Sequence, residues 1–107
     1  MNRDELAKMT KVEIVVGGSD VPAVRELLTS VGATGFTMLS GVSGLGHDGF
    51  HQGRLLFNDQ DALTMLIVVA PDDRADSLLG AVRDLLRERP GVMFVSETWV
   101  SRPEHFR

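Results

Sequence analysis

One pattern occurs twice in this chain, and it restricts the fold more than any other feature. An apolar "IVV" leaves a strand at Ile14; a turn, an amphipathic helix, a glycine and a new strand follow. The same order starts again at Ile67. Two strand–helix–strand units in tandem, in 107 residues, leave room for one domain and one modest core.

The elements read as follows. Lys11 to Val16 alternates Val12, Ile14 and Val16 on one face, a strand signal. Gly17-Gly18 breaks it, Ser19 or Asp20 is placed to cap a helix, and Pro22 falls in the first turn. Val21, Val24, Leu27, Leu28 and Val31 form that helix's apolar stripe, and Gly32 closes it. A strand is predicted from Gly35 to about Val42, a returning strand at Leu55 to Phe57, and an apolar strand at Leu63 to Ala70. Pro71-Asp72-Asp73 opens a second helix with Ala75, Leu78, Leu79, Val82, Leu85 and Leu86 on one stripe. Its acidic start and its basic end at Arg87 to Arg89 suit the helix dipole. Val92 to Val95 is the last predicted strand. Residues 1–10 are expected to be disordered, 43–60 to form a long arm, and 99–107 a tail. The order β-α-β-β-α-β implies an α+β, ferredoxin-like antiparallel sheet with both helices on one face. Leu66 to Val69 is continuously apolar and so points to both faces. The uncovered face therefore calls for another copy of the chain, unless the tail folds across it.

Six of the eleven glycines lie between Gly35 and Gly53, and Gly44, Gly46 and Gly49 spell G-x-G-x-x-G. In a dinucleotide-binding domain a helix follows that motif. Here Phe50-His51-Gln52-Gly53 shows no helical stripe, so the segment reads as a mobile glycine-rich loop. His47 and His51 are four apart but lie among glycines with no evident third ligand, so no metal site is assigned. Zero cysteines exclude disulfides and thiolate catalysis, and no G-x-S-x-G elbow is present. Nothing argues for an enzyme. A net charge of −4 argues against nucleic acid, and no apolar run reaches membrane-spanning length, so a cytoplasmic protein is expected. What remains is anion binding by loop N–H groups with Arg54 and Arg102.

"VRELLTSVGATGFTMLSGVSGLG", Val24 to Gly46, resembles the PII superfamily of signalling proteins, whose helix and Gly-x-Thr strand lead into a long T-loop. Gly35-Phe36-Thr37-Met38 stands where that strand begins, and Gly44-Leu45-Gly46 is similar to the T-loop base. The resemblance implies a homotrimer with adenine nucleotides in three clefts between subunits. It places Thr29, Gly35, Phe36, Thr37 and Met38 around adenine and ribose, with Leu63, Thr64 and Met65 as a cleft wall. Gly44 and Gly46 would approach the phosphates, Gly91 would lie in the turn before the last strand, and Arg102 would be a phosphate partner. That turn is Arg89-Pro90-Gly91-Val92 and lacks the family's lysine, which argues against tight ATP binding. The absence of tyrosine excludes uridylylation of the T-loop on that residue. The chain is most similar to the carboxysome-associated PII-like group, which implies ADP or AMP as nucleotide and bicarbonate as effector, with the backbone around Gly53 and Arg54 as the expected bicarbonate site. A membrane transporter or a carbon-fixation protein is the implied target. The alternative is a trimeric divalent-metal-binding protein of the CutA kind, with the same element order; a third is an enzyme subunit or dimerising module without a ligand.

Overall fold

Alternation along the central strand decides where the core sits. In the computed structural model, which describes residues 5–42, 44–46, 49–51 and 62–107, strand β1 (Ala7–Gly17) buries Val12, Ile14 and Val16 on one face. Helix α1 (Val21–Ser30) lays Val24 and Leu28 over them. Strand β2 (Thr37–Val42) follows, then the short strands β3 (Gly44–Gly46) and β4 (Gly49–His51), then β5 (Leu63–Ala70). Helix α2 (Asp72–Leu86) contributes Leu78 and Val82 to the core, and β6 (Val92–Val100) completes the sheet. The order across the sheet is β2-β5-β1-β6, with every pair antiparallel. This is the ferredoxin-like arrangement that the tandem repeat implies.

Four local expectations change. Residues 7–10 are strand, because β1 pairs from Ala7 with Val100; the disorder expected over 1–10 does not extend to them. The last strand continues past Val95 to Val100 for the same reason: a long partner supplies hydrogen bonds that local composition does not advertise. β2 begins at Thr37, two residues later than Gly35. Asp20 is the N-cap of α1 but makes no side-chain capping bond, because its carboxylate accepts from Arg89 instead. The returning strand expected at Leu55 to Phe57 lies outside the described residues.

The register exposes what one protomer leaves uncovered. Leu39, Met65, Val15 and Val92 are directly opposite one another across all four strands and share the face away from the helices. Thr37, Ile67, Glu13 and Phe94 form the next row. Leu39, Val92 and Phe94 remain about half exposed, at 49%, 49% and 56%. The tail does not cover them: Arg74 on α2 donates to the Phe106 carbonyl at 3.3 Å, on the helix side. No helix among the described residues is long and apolar enough to cross a membrane.

The first turn of α2 is tied to β1 by charge. Lys8 Nζ and Thr10 Oγ1 each donate to Asp72 at 2.8 Å. The bond from Lys8, then that from Thr10, hold the Asp72 carboxyl below its ordinary 3.8, and the bond to Asp72 raises Lys8 above 10.5. A carboxyl depressed by folding stabilises above its unfolded pKa and loses that contribution as pH falls through the folded value. The raised Lys8 contributes below 10.5 and loses its part as pH rises through the folded value. Asp72→Asn is expected to lower the unfolding temperature slightly at neutral pH, by the modest amount of an exposed pair, and to approach the parent as pH falls through the depressed Asp72 pKa. Equal gaps at neutral and at acid pH would assign the effect to something other than the charge.

Candidate ligand-binding site

The end of α1 shapes the first half of the site. Gly32, at φ +79°, ends the helix in a left-handed turn; its N–H donates to Thr29 O and that of Ala33 to Leu28 O. The chain then runs extended toward β2, and the Arg25 guanidinium lies over the Phe36 ring, 5.6 Å from its centroid. Thr29 Oγ1 donates to Arg25 O at 3.0 Å, so its proton is committed and only its lone pairs face outward. A Cβ on Gly35 would meet nothing within 4 Å, so the protomer itself does not require glycine there.

β2 carries this corner to the opposite end of the sheet. Its five residue steps span about 17 Å. Thr37 and Leu39 face the uncovered side; Met38 faces the helix side and is 44% exposed at the sheet edge. Beside them on β5, Leu63 and Met65 share the uncovered face. Thr64 does not join them, because its side chain is turned to the helix side and buried, so of the three expected residues only Leu63 and Met65 are on the uncovered face. At the far end of β2, Gly44 pairs with His51 and Gly46 with Gly49. Gly49 of the G-x-G-x-x-G thus lies in a hairpin strand, and the dinucleotide-binding reading fails for want of a helix. Gly53, Arg54 and His47 lie outside the described residues.

The remaining expected residues are on the opposite edge. Gly91 precedes β6 at the hairpin end of the sheet, and Arg102 follows it at the other end. One protomer therefore brings Thr29, Gly35 and Phe36 together and sets Leu63 and Met65 beside Leu39. It does not bring Gly91 or Arg102 to either group. A cavity among the described residues, lined by Phe106, Ala33, Val69 and Leu78, holds about 20 Å³, room for about one water. Among the described residues no three His, Asp or Glu gather as metal ligands.

Sequence reasoning missed two arginines. Arg25 reaches Phe36 across a helix end, a contact without a spacing signature. Arg89, read as helix-dipole decoration, instead spans to Asp20, its Nη1 at 2.8 Å from Oδ1.

Comparisons with known proteins agree with this architecture. Residues 9–105 match the family model of nitrogen regulatory protein P-II. No curated protein matches the chain significantly. Among solved structures, CPII, a nitrogen regulatory PII-like protein from Thiomonas intermedia K12 bound to ADP, AMP and bicarbonate, is 34% identical at a TM-score of 0.87. The match covers 95% of this chain and 96% of that one. The apo form of CPII matches at 29% identity and a TM-score of 0.68, covering 89% and 94%. The GlnK–ATP complex of B. subtilis shares the fold at 19% identity and a TM-score of 0.56, covering 85% and 83%.

Proposed function

The chain belongs to the P-II family of regulatory proteins, and on that premise we propose that it is a non-enzymatic, cytoplasmic sensor of ADP or AMP. The nucleotide lies in clefts between the protomers of a homotrimer, and bicarbonate acts as effector. The observation that carries this reading is the 34% identity, over nearly the whole of both chains, to a PII-like protein bound to ADP, AMP and bicarbonate. The geometry supports it. Among the described residues, the expected ligand residues are spread from the end of α1 along β2 and β5 to both ends of β6, and a second protomer set against an edge is what can complete a site from them. The two edges carry different exposed apolar residues: Phe36, just before β2, with Met38 and Leu39 of β2 on one side, and Val92, Phe94, Val95 and Trp99 of β6 on the other. A contact between unlike edges is heterologous, the kind that makes a closed ring such as a trimer when its rotation closes.

In this reading the backbone at Gly35 and Phe36 approaches the adenine, the Thr29 oxygen accepts from the ligand, and Gly44 and Gly46 approach the phosphates. The 43–60 arm then presents the occupancy of the cleft to a protein target, with a membrane transporter or a carbon-fixation protein as the candidates. Ordering a glycine-rich arm is entropically costly, so ligand-dependent order is a natural switch.

Calorimetric titration of the purified oligomer with AMP, ADP, ATP and cyclic AMP, with and without bicarbonate, tests this. ADP and AMP are expected to bind, more tightly when bicarbonate is present, and ATP more weakly. No binding of any nucleotide would overturn the proposal, and a response to copper or zinc alone would favour the metal-binding alternative.

A further inference from the structure

Residues 33–36 belong to neither α1 nor β2, yet they carry the corner where the nucleotide reading places the adenine. The left-handed turn at Gly32 and the bond from Ala33 N–H to Leu28 O fix the start of this stretch. Further on, a Cβ at Gly35 would meet nothing within 4 Å, so nothing presses on that side of the backbone. Resting on the nucleotide reading above, we propose that Phe106 is a positioning residue for the adenine corner. Tethered by Arg74, it packs at Ala33 and Thr34 and so sets the backbone of Gly35 and Phe36.

The tail is directed to this corner by its own turn. After β6 ends at Val100, His105 N–H donates to Arg102 O and Phe106 N–H to Pro103 O, at 3.1 and 3.0 Å. Pro103 starts that turn with its φ already fixed, which lowers the entropy lost in ordering it. Along Ser101 to Arg107 only Pro103 and Phe106 are half-buried, and the rest are exposed. Phe106 shares a cavity wall with Ala33 and Thr34, with Val69 and Ala70 of β5, and with Leu78 of α2. β5 lies two strands away from β6, so the tail has crossed about 10 Å, past β1, to reach it.

The docking is polar as well as apolar. Arg74, in the first turn of α2, lines the same cavity and donates from Nη2 to the Phe106 carbonyl at 3.3 Å. A charged donor makes the stronger kind of hydrogen bond, and this one holds the backbone of the residue whose ring is packed. The space between these walls is about 20 Å³, the size of about one water, so little slack separates the ring from the connection. The corner is therefore held at two points: Phe106 at Ala33 and Thr34, and the Arg25 guanidinium over the Phe36 ring. Linkage makes the effect mutual. Whatever factor the docked tail adds to nucleotide affinity, the bound nucleotide adds to docking of the tail.

The test titrates the full chain and its Phe106→Ala, Phe106→Leu and Arg74→Gln variants with adenosine and with ADP. Phe106→Ala is expected to weaken both ligands by one factor, about fivefold or more, the low end of ordinary coupling between sites. Arg74→Gln shows a smaller loss, again equal for both ligands, and Phe106→Leu, which keeps an apolar side chain there, retains most of the affinity. Thermal midpoint and oligomer mass stay at the parent's values, because Phe106 is outside the core cluster. In the parent, saturating ADP slows the release of Phe106 by carboxypeptidase Y by about the factor that Phe106→Ala loses. Equal affinities in parent and Phe106→Ala overturn the proposal and leave the nucleotide reading standing. A loss confined to ADP overturns it too, since the tail would then serve the phosphate end. So does release of Phe106 at one rate with and without ADP, or a Phe106→Ala chain of lower mass or midpoint, which marks a structural role. A parent that binds neither ligand defeats the nucleotide reading, and this inference with it.

Discussion

Phe94→Lys is expected to leave the chain folded and to take its assembly apart. Phe94 lies on the uncovered face with its side chain 56% exposed, so little of the protomer's own core depends on it. Its cross-strand neighbour is Glu13, and a lysine there gains an opposite charge directly across the ladder in the isolated protomer. In an assembly that buries this face, the same lysine forfeits about 1.5–3 kcal/mol of apolar burial per protomer. It must also be stripped of water among Val15, Met65 and Val92. Light scattering on the eluted protein should report one chain's mass for the variant and three for the parent, with the same circular dichroism. An assembly of unchanged mass and stability would show that the face which pairs the protomers is elsewhere.

The second large effect concerns Gly91→Ala. At φ +149° an L side chain is strained wherever it points, at about 1–3 kcal/mol. Here the new Cβ also meets the Val15 carbonyl at 2.8 Å and Leu86 Cδ2 at 3.0 Å. Forcing a methyl into packed surroundings adds about 1–3 kcal/mol. A loss of about 2–6 kcal/mol is a large share of the roughly 5–15 kcal/mol that holds a domain of this size. The thermal midpoint should fall by about 10 °C or more. An unchanged midpoint would mean that the turn rebuilds itself away from β1.

The core was legible because it rests on local periodicity. Val12, Ile14 and Val16 alternate, Val24 and Leu28 share a helical stripe with Leu27, and Leu78 and Val82 share another with Leu85; each predicted stripe is the one the sheet and helices bury. The uncovered face was legible too, since four consecutive apolar residues at Leu66 to Val69 cannot all face one layer of helices. Strand limits were less so. Ala7 to Thr10 and Ser96 to Val100 look like charged or polar ends, yet they pair with each other, and the pairing is a property of two distant segments at once.

The candidate site divides in the same way. Gly35–Met38 and the hairpin glycines were named through the family resemblance of Val24 to Gly46, a short contiguous stretch. Thr64 was misplaced because its neighbours on either side face the uncovered layer while it alternates into the core. Arg89 and Asp20 were read separately, as a helix end and a helix cap. They are 69 residues apart, and nothing local relates them.

By itself the sequence determined the order of elements, the apolar faces and the family, since each is written in short-range pattern and composition. Only the tertiary structure decided which edge each glycine and arginine occupies, and that Asp20 is engaged by Arg89 rather than by its own helix. Those outcomes depend on the crossing of β1 between β5 and β6, which brings distant segments side by side. No periodicity within either segment encodes that.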